Sequence, residues 1–171
     1  AASLALADLK LENLLLATTA ADDGATREAD AGGGAAWQDL QLKIADFGLS
    51  DLRPFDNSST HCGSPLYAAP ELMTAGAAPE GYDASKSDVW SCGVILYALL
   101  ASALPFDADD ICALVRLIPQ GVPHAPVPES RGPLAGQLIA IMLTVDPKRR
   151  PSAAEVLEHP WSKPEEPRGI K

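Results

Sequence analysis

Apolar residues fall in short runs in the first part of the chain and form a long stretch, with helical spacing, from Val89 onward. Leu40-Gln41-Leu42-Lys43-Ile44 alternates apolar and polar positions and reads as a short strand, with Leu14-Leu15-Leu16 as a second one. Between them, Ala17 to Asp39 is a 23-residue connection, far longer than a usual hairpin loop. It is rich in Ala, Gly, Asp and Thr, contains Gly32-Gly33-Gly34, and sets five acids (Asp22, Asp23, Glu28, Asp30, Asp39) against Arg27. Such a segment buries too little apolar surface to offset its ordering entropy, so residues 17–39 read as a disordered low-complexity insertion. A partner-binding loop anchored by Trp37 is the alternative.

After Ile44 the pattern predicts a loop to about Tyr82 and then helices. Ser85-Lys86-Ser87-Asp88 has the spacing of a capping box before the run Val89, Trp90, Val94, Ile95, Leu96, Leu99, Leu100. A helix apolar on nearly every side belongs in the middle of a domain. Asp109 or Asp110 is placed to cap a helix from Ile111 to Ile118 that Pro119 stops. Pro133 suits the first turn of a helix with Leu134, Leu138, Ile141 and Met142 on one face, ended by Asp146-Pro147. Ser152-Ala153-Ala154-Glu155 is a second capping box, opening a last helix that stops at His159-Pro160-Trp161. The expected fold is mainly α, with a small β-hairpin near its start.

Composition narrows the function classes. At 171 residues the chain fits one domain with a real core. Its net charge of -10 argues against a nucleic-acid surface, and Lys148-Arg149-Arg150 is the only basic run. The longest apolar stretch, Val89 to Leu104, spans 16 residues and falls short of the roughly 20 needed to cross a bilayer. Neither a nucleic-acid nor a membrane partner is therefore expected. Cys62, Cys92 and Cys112 are odd in number and lack metal-ligand spacing, so free thiols in a reducing compartment are the reading. The expected compartment is the cytoplasm, with the nucleus as the alternative.

Three short motifs then occur in order. Asp8-Leu9-Lys10-Leu11-Glu12-Asn13 sets Asn five positions after Asp; Asp46-Phe47-Gly48 follows a strand; Ala69-Pro70-Glu71 begins 23 residues after Asp46. Each is weak alone, but their order is specific. Together they resemble the second half of the protein-kinase signature set. Thr60 to Glu71 is similar to the activation segment of the AMP-activated and sucrose-non-fermenting kinases. Ser87 to Tyr97, Leu104 to Asp107 and Asp146 to Trp161 resemble later parts of the same domain.

The resemblance implies a fold and a set of roles. The fold would be the C-terminal lobe of a Ser/Thr kinase of the calcium/calmodulin-dependent and AMP-activated group, spanning residues 8–161 with the insertion at 17–39. Residues 1–7 would be a non-matching junction and 162–171 a tail. Asp8 would accept the substrate hydroxyl proton, and Lys10 would neutralise the γ-phosphate of ATP. Asn13 and Asp46 would offer oxygens to Mg²⁺. Ser64 would face the substrate near Asp8 and Lys10, and Thr60 would be the activating phosphorylation position, served by an upstream kinase. Glu71 and Arg150 would form a buried ion pair, and Asp88 would support the catalytic loop. Protein substrates would be the partners.

Two departures qualify that expectation. Upstream of Asp8 the sequence shows no Gly-rich loop, strand lysine or partner glutamate, the parts that hold ATP in the family, so the N-terminal lobe is expected to be absent and the chain inactive alone. The usual His-Arg before the aspartate is Leu6-Ala7, and Ala7 cannot pair with a phosphorylated segment as arginine does. An inert, kinase-derived interaction module is the alternative reading.

Overall fold

The computed structural model describes residues 9–18, 40–45, 65–73 and 83–163, ordered as a small hairpin followed by helices. A 3-10 turn, Leu11–Asn13, leads directly into strand β1, Leu14–Thr18, which pairs antiparallel with β2, Leu40–Ile44. The pairing matches Leu14 with Ile44, Leu16 with Leu42 and Thr18 with Leu40. Ala17 and Thr18 therefore belong to the sheet and not to the connection, because each finds a backbone partner in the register. The remainder of the low-complexity segment, 19–39, lies outside the described residues, as do 1–8 and the tail from 164.

The stretch expected to be loop up to Tyr82 is partly helical. A 3-10 turn spans Pro65–Tyr67 and a four-residue helix, α1, spans Pro70–Met73, with Pro70 at a first-turn position where its missing N–H costs nothing. The central helix α2, Ala84–Ala101, starts before the predicted capping box. Asp83 is the N-cap: its carboxylate accepts from the Ser85 backbone at 3.0 Å and from the Ser85 hydroxyl at 2.6 Å. The Ser85 hydroxyl is thereby engaged by a charged acceptor two residues earlier. At its other end α2 stops at Ser102, whose φ of 56° is left-handed.

Helix α3, Ile111–Leu117, is capped by Asp110, whose side chain accepts from Ala113 N at 2.7 Å. The α-helix stops just ahead of Pro119, as expected, and the chain tightens into a 3-10 turn, Ile118–Gln120, before leaving through Gly121 at φ 67°. Helix α4, Pro133–Met142, buries Ala135, Leu138, Ile139 and Met142, whereas Leu134 and Ile141 are 40% and 39% exposed. The buried face is thus rotated from the predicted one. The helix also ends before Asp146-Pro147. Helix α5, Ala153–Glu158, has the reciprocal Ser152–Glu155 capping box that its sequence announced.

Packing centres on α2. Trp90, Val94, Tyr97, Phe106 and Ile118 are fully buried, and burying each such side chain stabilises by roughly 1.5–3 kcal/mol. Trp90 stacks on Phe106 with ring centroids 5.6 Å apart and planes 8° from parallel. Gly93 lets α4 come close: a Cβ there would lie 2.9 Å from Met142 Cβ. The cover is not complete, since Leu99 is 58% exposed. Trp161, just after the last helix, is 39% exposed. Among the described residues, no helix is long and apolar enough to cross a membrane.

Candidate functional site

The turn Leu11–Asn13 ends on one sequence-predicted residue, Asn13, and follows directly on another, Lys10. Lys10, just before it, is extended (φ -150°, ψ 162°), so the chain enters as a strand and then tightens, with Asn13 N donating to Lys10 O at 3.1 Å. Leu9 anchors the entry in the core at 6% exposure. Asn13 is itself buried, at 7%. Buried polar side chains need partners, and both Lys10 and Asn13 are engaged in interactions.

The hairpin then folds the chain back. Ala45 N donates to Asn13 O at 2.8 Å, continuing the ladder one step past Leu14 and Ile44. The next residue in the sequence is Asp46. Asp46 itself, with Asp8, Thr60 and Ser64, lies outside the described residues. Among the described residues no group of three or more His, Cys, Asp or Glu could hold a metal ion. Asn13 offers a hard carboxamide oxygen of the type Mg²⁺ accepts.

Beside this turn lies Pro65–Tyr67, which follows Ser64 directly. Tyr67 is 6% exposed and belongs to the same core cluster as Leu9. Its phenol is held above the ordinary tyrosine range, first by burial and next by the nearby Glu12 carboxylate. The Tyr67 carbonyl accepts from the Ser91 hydroxyl of α2 at 2.9 Å. Nothing in the sequence alone had singled out Ser91; one serine in an apolar helix carries no periodic signal.

Glu71 and Arg150 meet as a bidentate pair at 2.7 and 2.9 Å. Arg150 is 1% exposed, donates also to the carbonyls of Lys86, Thr144 and Val145, and lies 5.1 Å from the centre of the Trp90 ring. Lys86 completes the knot by donating its Nζ to the Arg150 carbonyl. The sequence pointed to the two charges but not to Lys86. Asp88 is half-buried on α2 and is also engaged. Its charge, after burial, helps to push the Cys92 thiol up to about 11.

A groove of about 810 Å³ opens elsewhere, lined by Tyr97, Val122, Pro126, Ile139 and Leu143 among others, and none of Lys10, Asn13, Glu71, Asp88 or Arg150 lines it.

Comparison with known proteins bears on the family and the fold. A serine/threonine-protein kinase of Dictyostelium discoideum, itself described as probable, is 41% identical over 155 residues, covering 90% of this chain. CBL-interacting protein kinase 31 of Oryza sativa subsp. japonica is 41% identical over 160 residues, covering 91%. The chain spans only 16% and 30% of the lengths of these two relatives. Crystal structures of the Rad53 kinase domain and SCD2, with and without AMPPNP, superpose at TM-scores of 0.63 and 0.64 with 26% identity. They cover 93% of this chain and 50% and 49% of theirs. The fold is thus protein-kinase-like, and with the protein kinase domain family matching residues 2–162, this chain belongs to that family.

Proposed function

We propose that this chain is the C-terminal-lobe portion of a Ser/Thr protein kinase of the calcium/calmodulin-dependent and AMP-activated group. The parent enzyme would transfer the γ-phosphate of ATP to Ser or Thr hydroxyls of protein substrates. The observation that carries the reading is the hydrogen bond from Ala45 N to Asn13 O at 2.8 Å. It supports a shared site for Asn13 and the following Asp46, as phosphoryl transfer by positioning and charge neutralisation requires.

In this reading Asp8 takes the proton of the attacking hydroxyl, and Lys10 holds charge against the phosphoryl group. Asn13 and Asp46 hold Mg²⁺, which neutralises the phosphate oxygens when bound. Ser64 faces the acceptor, and Thr60 is phosphorylated by an upstream kinase. Glu71 and Arg150 hold the segment that follows Ser64 against the late helices, and Asp88 supports the catalytic loop. The sequence contains no G-x-G-x-x-G phosphate cradle, so the 171-residue chain by itself should bind Mg²⁺-ATP negligibly.

Phosphate transfer from Mg²⁺-ATP to a degenerate Ser/Thr peptide array, by the protein at its full natural length, tests the activity. Asp8→Asn should abolish transfer while leaving the fold intact. An active Asp8→Asn variant contradicts the assignment. For the 171-residue chain, calorimetric titration with Mg²⁺-ATP should show no binding in the micromolar range.

A further inference from the structure

We infer that Ser91, on the central helix, is a positioning residue for the acceptor side of the site, fixing the main chain of the Pro65–Tyr67 turn through its hydroxyl. The inference rests on the kinase reading above for what that turn faces; the anchor itself stands on the geometry.

The turn has little of its own to hold it. It comprises three residues, Pro65 has no N–H to donate, and the internal hydrogen bond from Ala68 N to Pro65 O is long at 3.3 Å. Its carbonyl groups must find donors elsewhere, because Tyr67 is buried and a buried carbonyl without a donor is costly. Ser91 Oγ supplies one to Tyr67 O at 2.9 Å. The same hydroxyl sits 3.3 Å from Ser87 O, the i−4 carbonyl of its own helix, so its proton is shared but favours the nearer acceptor across the interface. The donor stands on the most deeply packed element of the molecule: Trp90 and Val94 beside it are fully buried, and Ser91 itself is 8% exposed. A rigid helix thus fixes one atom of a short, weakly self-bonded turn.

The fixation reaches the catalytic side through the Tyr67 ring. Tyr67 belongs to the same buried cluster as Leu9, with Leu11 and Leu14 packed against it, and these residues frame Lys10 and Asn13. The charge of Glu12 is felt at the phenol, in keeping with this proximity. Ser91 is therefore placed to hold the stretch immediately after Ser64 in register with Lys10–Asn13, without touching either reactant.

Alanine is a good helix former, so Ser91→Ala removes the hydroxyl with little penalty to α2 itself. The variant is compared with wild type and with Ser91→Thr, which keeps a hydroxyl, in the protein at its full natural length. Hydrogen–deuterium exchange of peptides covering 65–73 should speed up about tenfold or more in Ser91→Ala while peptides from α4 are unchanged. With the best-phosphorylated peptide of a Ser/Thr array as acceptor, KM for the peptide should rise three- to tenfold and KM for ATP should stay within twofold. Ser91→Thr should bring both readouts back to within twofold of wild type. Exchange that is unchanged, or that rises equally in α4, overturns the anchor. Faster local exchange with an unaltered peptide KM, or with both KM values rising together, overturns the acceptor role. A wild type that phosphorylates no peptide overturns the kinase reading and the acceptor role with it, while the exchange result still decides the anchor.

Discussion

Arg150 and Glu71, 79 positions apart in sequence, form a bidentate ion pair with oxygens at 2.7 and 2.9 Å from the guanidinium, and the Arg150 side chain has no solvent exposure. The pair is the centre of a larger knot. Three backbone carbonyls use the remaining N–H donors, and the guanidinium lies over Trp90. Every donor of the buried charge is occupied, which is the condition under which such a charge is tolerated. Removing one partner strands the other. Glu71→Ala or Arg150→Ala should destabilise by about 3–5 kcal/mol. The double variant should lose less than the sum of the two, because its second substitution removes a charge already orphaned. Urea denaturation of the three variants checks both statements; additive losses would show that the residues act independently.

Two helix glycines should respond in opposite directions. Gly93 faces Met142 Cβ at 2.9 Å and Leu143 Cδ2 at 3.0 Å from a built Cβ, so Gly93→Ala should destabilise by about 1–3 kcal/mol through overpacking of α2 on α4. A Cβ at Gly136 meets nothing within 4 Å, so Gly136→Ala should stabilise by about 0.8–1 kcal/mol through helix propensity alone. The midpoints of chemical denaturation should move apart with an unchanged slope.

Ser102 holds a left-handed conformation at the C-terminus of α2 and is exposed. Glycine adopts that region without the Cβ penalty, so Ser102→Gly should stabilise by about 0.5–1 kcal/mol. The same substitution at Ser152, which is extended and caps α5 through its side chain, should destabilise. Thermal melts of the two variants should shift with opposite sign.

Acid should weaken the helix starts. Asp83 is held below the ordinary carboxylate range by hydrogen bonds, the Ser85 hydroxyl first, and Glu155 likewise by the Ser152 backbone and hydroxyl. Folding therefore favours the ionised form of both. That contribution is complete above the unfolded carboxylate range, near about pH 4, and is lost as the pH falls through the lower folded values. Asp83→Ala should cost about 1 kcal/mol at pH 7 and markedly less at pH 3. Denaturation at the two pH values tests this, and a cost that grows on acidification would contradict the sign.

Thiol reactivity should split between Cys92 and Cys112. Burial, aided by Asp88, pushes the Cys92 thiol up to about 11, whereas Cys112 is exposed on α3. Since the thiolate is the nucleophile, Cys112 should be alkylated at pH 8 well before Cys92, and Cys92 should react only when the chain is unfolded. Mass spectrometry of a timed iodoacetamide reaction gives the order directly.

What the sequence determined by itself was local. The strand Leu40–Ile44 follows from alternation, the Ser152 cap and an aspartate cap at 109 or 110 from short polar side chains just ahead of apolar runs, and the central position of α2 from its apolar girth. Each depends on residues within a few positions of one another, where propensity and hydrogen-bonding capacity act without long-range help. The ordered motifs also named Lys10, Asn13, Glu71, Asp88 and Arg150 as candidates, because residue type and spacing survive in a linear string. Tertiary structure decided the rest. It extended β1 to Thr18, since a strand's end is set by its partner's register. It rotated the buried face of α4 toward Ala135 and Ile139, since close approach to Gly93 depends on which helix packs there. It drew Lys86 into the Arg150 knot and brought Ser91 to the Tyr67 carbonyl, contacts 64 and 24 positions apart. Contacts across such separations are chosen by how packed elements fit, and no local pattern of side chains encodes that fit.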